Sequence, residues 1–305
     1  MYTRKGLVSR AVTFAGASPV PFWVSGGRLK NSDLLTYDLS LTKAGDPKTN
    51  EWGFTVERGE NGLLTIPSEA VLTSWSMVDE YHRPQLEPTR RLAKIAEVAK
   101  TCEDRYRLAS MGLSGFAVYR ALRGRDTSAN DALIETDRFL DLFDSIIEQE
   151  TKMFDMIVRK GFHAVELRDD WNTQWMTPSL WRKLLKPRYI LQIQSARELG
   201  LHVWFSSLSA CEEFYGDLIE MGVNVLRIDS PYAVDISTIG RQYAGKVAFA
   251  VCLDDLARGG TVPPDHYQQI RECLSFEGNG FIGHFTQATP SKVADKVITA
   301  LRKIP

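Results

Sequence analysis

From His163 onward this chain alternates short β-rich runs with amphipathic helical segments, and that alternation narrows its fold more than any other feature. The runs are His163 to Arg168, His202 to Ser207, Val223 to Ile228, Lys246 to Cys252 and Gly280 to Phe285. Counted from Ala164, Val203, Val225, Val247 and Phe281, the steps are 39, 22, 22 and 34 residues. Each step leaves room for a crossover helix, which parallel strands need and a hairpin does not. Thr177-Pro178 and Thr289-Pro290 each place an N-cap ahead of a proline, Gly200 follows a helix end, and Pro187 divides a helical region.

The first half is less regular. Pro21 to Ser25 and Arg105 to Met111 read as strands, and Leu86 to Lys100 and Glu135 to Lys160 as helices. An eighth strand is expected from Gly53 to Glu57 or Leu63 to Ile66, although Gly59, Asn61 and Gly62 between them suit a small surface hairpin equally well. No GxGxxG or GxxxxGK[ST] turn occurs, so an open doubly wound sheet loses its best support. The expectation is an α/β chain, one closed (β/α)8 barrel over residues 1–305 with an irregular N-terminal segment.

Composition supports this and removes other classes. With 44% hydrophobic and 25% charged residues the chain can build a large core. Its 37 basic and 38 acidic side chains lack the positive field of a nucleic-acid binder. Cys102, Cys211, Cys252 and Cys273 lie at least 21 residues apart, which excludes CxxC motifs and suits a reducing, cytoplasmic setting. No apolar leader follows Met1, and no stretch approaches the roughly 18 apolar residues of a membrane span, so no membrane partner is expected.

In a barrel, alternate side chains of each strand face the helices or the axis. Val165 and Leu167 suit the helix side, leaving Glu166, Arg168 and Asp170 inside and Asp169 outside. The same reasoning puts Trp204, Ser206, Arg227, Asp229, Ala248, Ala250, Cys252, Asp254, Ile282 and His284 inward. Barrel sites form at the C-terminal strand ends, which selects Asp170, Ser206, Asp229, Cys252, Asp254 and His284 as one ring. Glu166, Arg168 and Arg227 form either a functional polar lumen or a mutually satisfied ion network.

Glu166-Leu167-Arg168-Asp169-Asp170-Trp171-Asn172-Thr173-Gln174, then Met176-Thr177-Pro178-Ser179-Leu180-Trp181-Arg182 and Lys186-Pro187-Arg188-Tyr189, resembles the uroporphyrinogen decarboxylase superfamily. It is similar to the branch with DDWGTQ, isPxlWRxf and KPrY motifs, which includes corrinoid-linked methyltransferases. Glu51-Trp52-Gly53, Leu122-Arg123-Gly124, Ser230-Pro231-Tyr232-Ala233-Val234-Asp235 and Gly278-Asn279-Gly280-Phe281-Ile282 extend the resemblance over nearly the whole chain. It implies a (β/α)8 barrel with the site at its mouth. The arginine-rich N-terminal motif of the porphyrin-precursor decarboxylases is represented only by Arg28 within Pro21 to Arg28. Ser206-Ser207-Leu208-Ser209 stands where the family's zinc-dependent methyltransferases carry His-x-Cys, so that zinc site is unmatched.

The site expected from these readings has Asp170, Asp229 and His284 as catalytic residues, with Asp170 foremost as acid or base. Trp23, Arg28, Arg168, Gln174, Ser206, Arg227, Tyr232 and Asp254 would bind a small-molecule substrate. No metal is expected, with a Cys252, His284 and Asp170 set as the alternative. The resemblance implies a methyltransferase working with a corrinoid, carried on a partner protein. The alternatives are a decarboxylase, acting as a carbon-carbon lyase on a carboxylate, and a non-catalytic ligand-binding homologue.

Overall fold

The structure, a computed structural model, describes residues 2–25, 31–43, 45–59, 62, 64–84, 103–277 and 279–304. Eight parallel strands close into a barrel: β1 (Phe22–Val24), β2 (Leu34–Asp38), β3 (Tyr106–Ser110), β4 (Ala164–Asp169), β5 (His202–Ser207), β6 (Val225–Ile228), β7 (Ala248–Cys252) and β8 (Phe281–Phe285). The order around the barrel follows the chain, and β1 closes it by pairing with both β2 and β8. This is a (β/α)8 barrel.

The eighth strand is not where the sequence pattern placed it. Glu57–Arg58 and Leu64–Thr65 pair with each other as an antiparallel hairpin, and β2 completes the barrel. Only nine residues, 25–33, separate β1 from β2, too few for the helical crossover on which the strand spacing relied. Side chains near the start of β2 brace β1 directly. Asp33 Oδ2 accepts from Phe22 N at 2.9 Å and Ser32 Oγ from Val24 N at 3.1 Å.

Local signals mostly act as their chemistry requires. The long helix spans Thr136–Arg159, and Pro187 coincides with a division into Pro178–Leu184 and Lys186–Glu198. Thr177 caps the first of these by accepting from Leu180 N, and Gly200 follows the second at φ +82°. Thr289 is an exception: its hydroxyl donates to Asp254 at 2.6 Å, and Ser291–Leu301 begins without a side-chain cap. The helix expected over Leu86 to Lys100 lies outside the described residues.

Alternation sorts the buried residues into two shells. Val165, Leu167, Val203, Phe205, Leu226, Ile228, Phe249 and Val251 belong to the large core beneath the helices. Trp23, Leu34, Tyr106, Leu108, Ala164, Trp204, Val225, Ala248, Ala250 and Ile282 fill the lumen. Small Ala164, Ala248 and Ala250 leave volume for Trp23, Tyr106 and Trp204 in that narrow space. The helix Arg4–Val12 adds Val8, Ala11 and Val12 to the same cluster, closing the end where the strands begin. Polar lumen side chains are thereby concentrated toward the opposite mouth.

Candidate active site

Four consecutive barrel strands, β4 to β7, together with β8 and β1, build the polar mouth. Strand register sets the order: Glu166 lies beside Trp204, Arg168 beside Ser206, Arg227 beside Ala250, and His284 beside both Cys252 and Trp23. Arg227 Nη1 donates to Glu166 Oε1 at 2.9 Å, and its Nε donates to Asp229 Oδ1 at 2.6 Å. Arg168 Nη1 reaches Asp229 Oδ2 at 3.3 Å and Ser206 Oγ at 3.4 Å. Ser206 also lies 3.4 Å from Glu166 Oε1, closing a ring of two cations, two anions and a hydroxyl.

This arrangement sets protonation. Burial alone would raise the Asp229 carboxyl; Arg227 and then Arg168 outweigh it and hold Asp229 down at about 2. Burial opposes the charge of Arg227 as well, but Asp229 and Glu166 prevail and raise its pKa. Burial lowers Arg168 despite the attraction of Asp229. His284 is pushed well below the usual imidazole value by burial, then by Arg227 and Arg168, against the pull of Asp229. Asp229 is therefore a carboxylate near neutral pH, and His284 a neutral ring.

His284 stacks on Trp23 with ring centroids 3.8 Å apart and hydrogen-bonds Ser25 Oγ through Nε2 at 2.8 Å. The Arg227 guanidinium carbon stands 4.9 Å from the centre of the Trp23 ring. Above these groups lies a cavity of about 120 Å³, walled by Trp23, Ser25, Thr36, Glu166, Arg168 and Arg227 and bordered by Arg58, Gly62, Leu64 and Gln287. The segment that the sequence left open as a strand or a small hairpin is the hairpin, and it contributes part of the cavity wall. A second cavity of about 200 Å³ contains Arg227, Asp229 and the loop Ser207 to Glu212 among its lining residues.

The structure brings Trp23, Arg168, Ser206, Arg227, Asp229 and His284 together. It places Asp170 elsewhere. Strand β4 ends at Asp169, so alternation no longer governs the next residue. The Asp170 carboxylate turns to Arg120 of the helix Phe116–Arg123 and to the Ser209 hydroxyl, instead of lining the lumen cavity. Asp254, two residues beyond the end of β7, accepts from Thr286 N and from the hydroxyls of Thr286 and Thr289, tying two loops together. Gln174 is exposed, and its backbone N–H donates to Asn172 in a turn. Tyr232 is 58% exposed on the loop after β6. Arg28 lies outside the described residues.

The alternative metal set does not assemble. Cys252 and His284 are register neighbours, but Asp170 is engaged by Arg120, and no three His, Cys, Asp or Glu side chains among the described residues form a metal-holding group. Burial also pushes the Cys252 thiol up, away from the thiolate a metal requires.

Ser25, Thr36 and Arg58 were not among the residues singled out from the sequence. Ser25 shares the Trp23 face by the two-residue period and was within reach of that reasoning. Thr36 belongs to β2, the strand that spacing did not reveal. Asp169 is outside the lumen as expected, held by Tyr189 and by Phe116 N and Ala117 N.

No protein-family model and no curated protein matches this chain. Among solved structures, 34 chains match its fold. A methyltransferase from Methanosarcina mazei is similar over 99% of both chains, at 11% identity and a TM-score of 0.64. A phosphonopyruvate hydrolase in complex with oxalate and Mg²⁺ is 11% identical, with 99% of this chain and 85% of that one covered and a TM-score of 0.49. At such identities the likeness is one of fold.

Proposed function

We propose that this chain is a methyltransferase related to the uroporphyrinogen decarboxylase superfamily, transferring a methyl group from a corrinoid on a partner protein to a small acceptor. The observation that carries the reading is the Ser25–His284 pair opening on a cavity beside two fixed arginines. The sequence motifs support the reaction class, and a methyltransferase shares the fold over its full length.

The cavity of about 120 Å³ is small beside the roughly 300–1,000 Å³ of pockets for drug-sized ligands, so a corrin ring stays outside it. Zinc does not fit either, because Ser206 to Ser209 offer neither imidazole nor thiolate. When docked at the mouth, the methylated corrinoid would supply an electrophilic methyl group and keep the electron pair of the bond that releases it. The remaining work belongs to this chain. Arg168 and Arg227 hold the acceptor, and Asp229 fixes both guanidinium groups. The acceptor's X–H proton passes to Ser25 Oγ as the Ser25 proton passes to His284 Nε2, leaving the electron pair on X to form the bond to carbon. Kept neutral by burial and the nearby arginines, His284 offers a free Nε2 lone pair to this relay, which supports reading the site as one that takes a proton from an acceptor.

Methylcobalamin serves as the probe. Its consumption in the presence of acceptors, lost in Ser25→Ala, is the expected result. Release of carbon dioxide from carboxylates with no methylcobalamin consumption would replace this reading by the lyase, which the arginine pair also suits. Neither activity, with free or protein-bound corrinoid, would leave a binding protein.

A further inference from the structure

We infer that the lumen cavity is a binding site for a small monocarboxylate, held through its two oxygens by Arg168 and Arg227. This deepens the reading of the barrel mouth as an acceptor site by naming the acceptor's chemical class. The inference starts from the polar atoms that the ion network leaves unused. Four residues lining the cavity each carry a buried polar atom without a hydrogen-bond partner: Arg168 Nε, Arg227 Nη2, Trp23 Nε1 and Thr36 Oγ1. Three are N–H groups that can only donate, and the fourth is a hydroxyl that can do so.

Buried polar groups are normally paired, so a cluster of spare donors around one space calls for a ligand rich in acceptors. An ionised carboxylate is acceptor-only, with two oxygens and about four lone-pair sites, and forms its strongest hydrogen bonds with guanidinium groups. Net charge and size restrict the class further. Glu166 and Asp229 already pair with Arg168 and Arg227, and Asp38 pairs with Arg58 at the same cavity, so no surplus of positive charge remains to hold a dianion such as phosphate. With about 30 Å³ for each water, a volume of about 120 Å³ corresponds to about four waters. A short-chain acid of about two to four carbons fits that space better than an aromatic acid or a porphyrin precursor.

The test is calorimetric titration of the full chain, without corrinoid, using acetate, propionate, acetamide, inorganic phosphate and benzoate. Saturable binding of acetate or propionate is expected, at least tenfold tighter than that of acetamide, phosphate or benzoate. Arg227→Lys should weaken it at least tenfold. Thr36→Val, which removes one donor and leaves the ion network intact, should weaken it severalfold and keeps the inference testable if the arginine variant does not fold. Equal binding of acetamide or phosphate, absence of carboxylate binding, or an unchanged affinity in folded Thr36→Val would each overturn it. Carboxylate binding without methylcobalamin turnover would fault the proposed reaction alone, and turnover of a non-carboxylate acceptor would fault this inference alone.

Discussion

Replacing Asp229 by asparagine tests the electrostatic account of the mouth directly. Among the described residues, Asp229 is the one carboxylate that pairs with both Arg168 and Arg227, and they hold it at about 2, against an ordinary value of 3.8. At about 1.36 kcal/mol per unit, that difference corresponds to about 2 kcal/mol of stability near neutral pH. The folded pKa is depressed, so the contribution is fully present above 3.8 and is lost as pH falls through 2. At pH 3 about half of it remains by the same relation. For a chain of 305 residues, about 2 kcal/mol moves the melting temperature by about 3 °C. Calorimetric melting of both proteins at pH 7 and pH 3 should therefore show Asp229→Asn less stable at pH 7, with the gap roughly halved at pH 3. Equal stability at pH 7, or a gap that widens on acidification, would refute the proposition that the arginines stabilise the Asp229 charge.

Three further outcomes follow from other parts of the molecule. Ser25→Ala should lower kcat for methyl transfer about 100-fold while leaving acetate or propionate affinity within about twofold, as expected for a group that moves a proton without anchoring the acid. Asp170→Asn should act mainly on stability: it leaves Arg120 buried without its counter-charge, at a cost of about 3 kcal/mol measurable by urea unfolding. Glu150 is raised to about 8 by burial, despite hydrogen bonds from Gly115 N and Gln192 Nε2. Its folded pKa lies above the ordinary 4.5, so the wild type loses stability as pH rises from 4.5 through 8, and the advantage of Glu150→Gln should grow over that window. The unpartnered Gln192 Oε1 can accept from the new amide once its own amide turns over. A constant difference between the two proteins across that range would contradict the assignment.

Much of the site was legible in the sequence because the two-residue strand period is local. From Val165 and Leu167 facing the helices it follows that Glu166 and Arg168 face the axis, and the same step places Trp204, Arg227 and His284. The step fails within one or two residues of a strand end. Asp170 and Asp254 lie just past β4 and β7, where turns re-aim the side chains toward Arg120 and toward Thr286 and Thr289. Strand β2 escaped notice for a different reason. Its short join to β1 breaks the spacing rule, and the hydrogen bonds of Ser32 and Asp33 that support it come from the neighbouring strand.

What the sequence determined by itself was the repeating strand-and-helix period, and with it the parallel barrel and the inward polar set on β4, β6 and β8. Those properties depend on local periodicity and on the number of residues between strands, both of which a linear chain contains. Only the tertiary structure decided which inward groups neutralise one another, which donors remain unused, and that a hairpin borders the cavity. Such facts depend on side chains more than 30 positions apart meeting within about 3 Å, as Glu166 and Arg227 do at 2.9 Å. No local pattern specifies that distance.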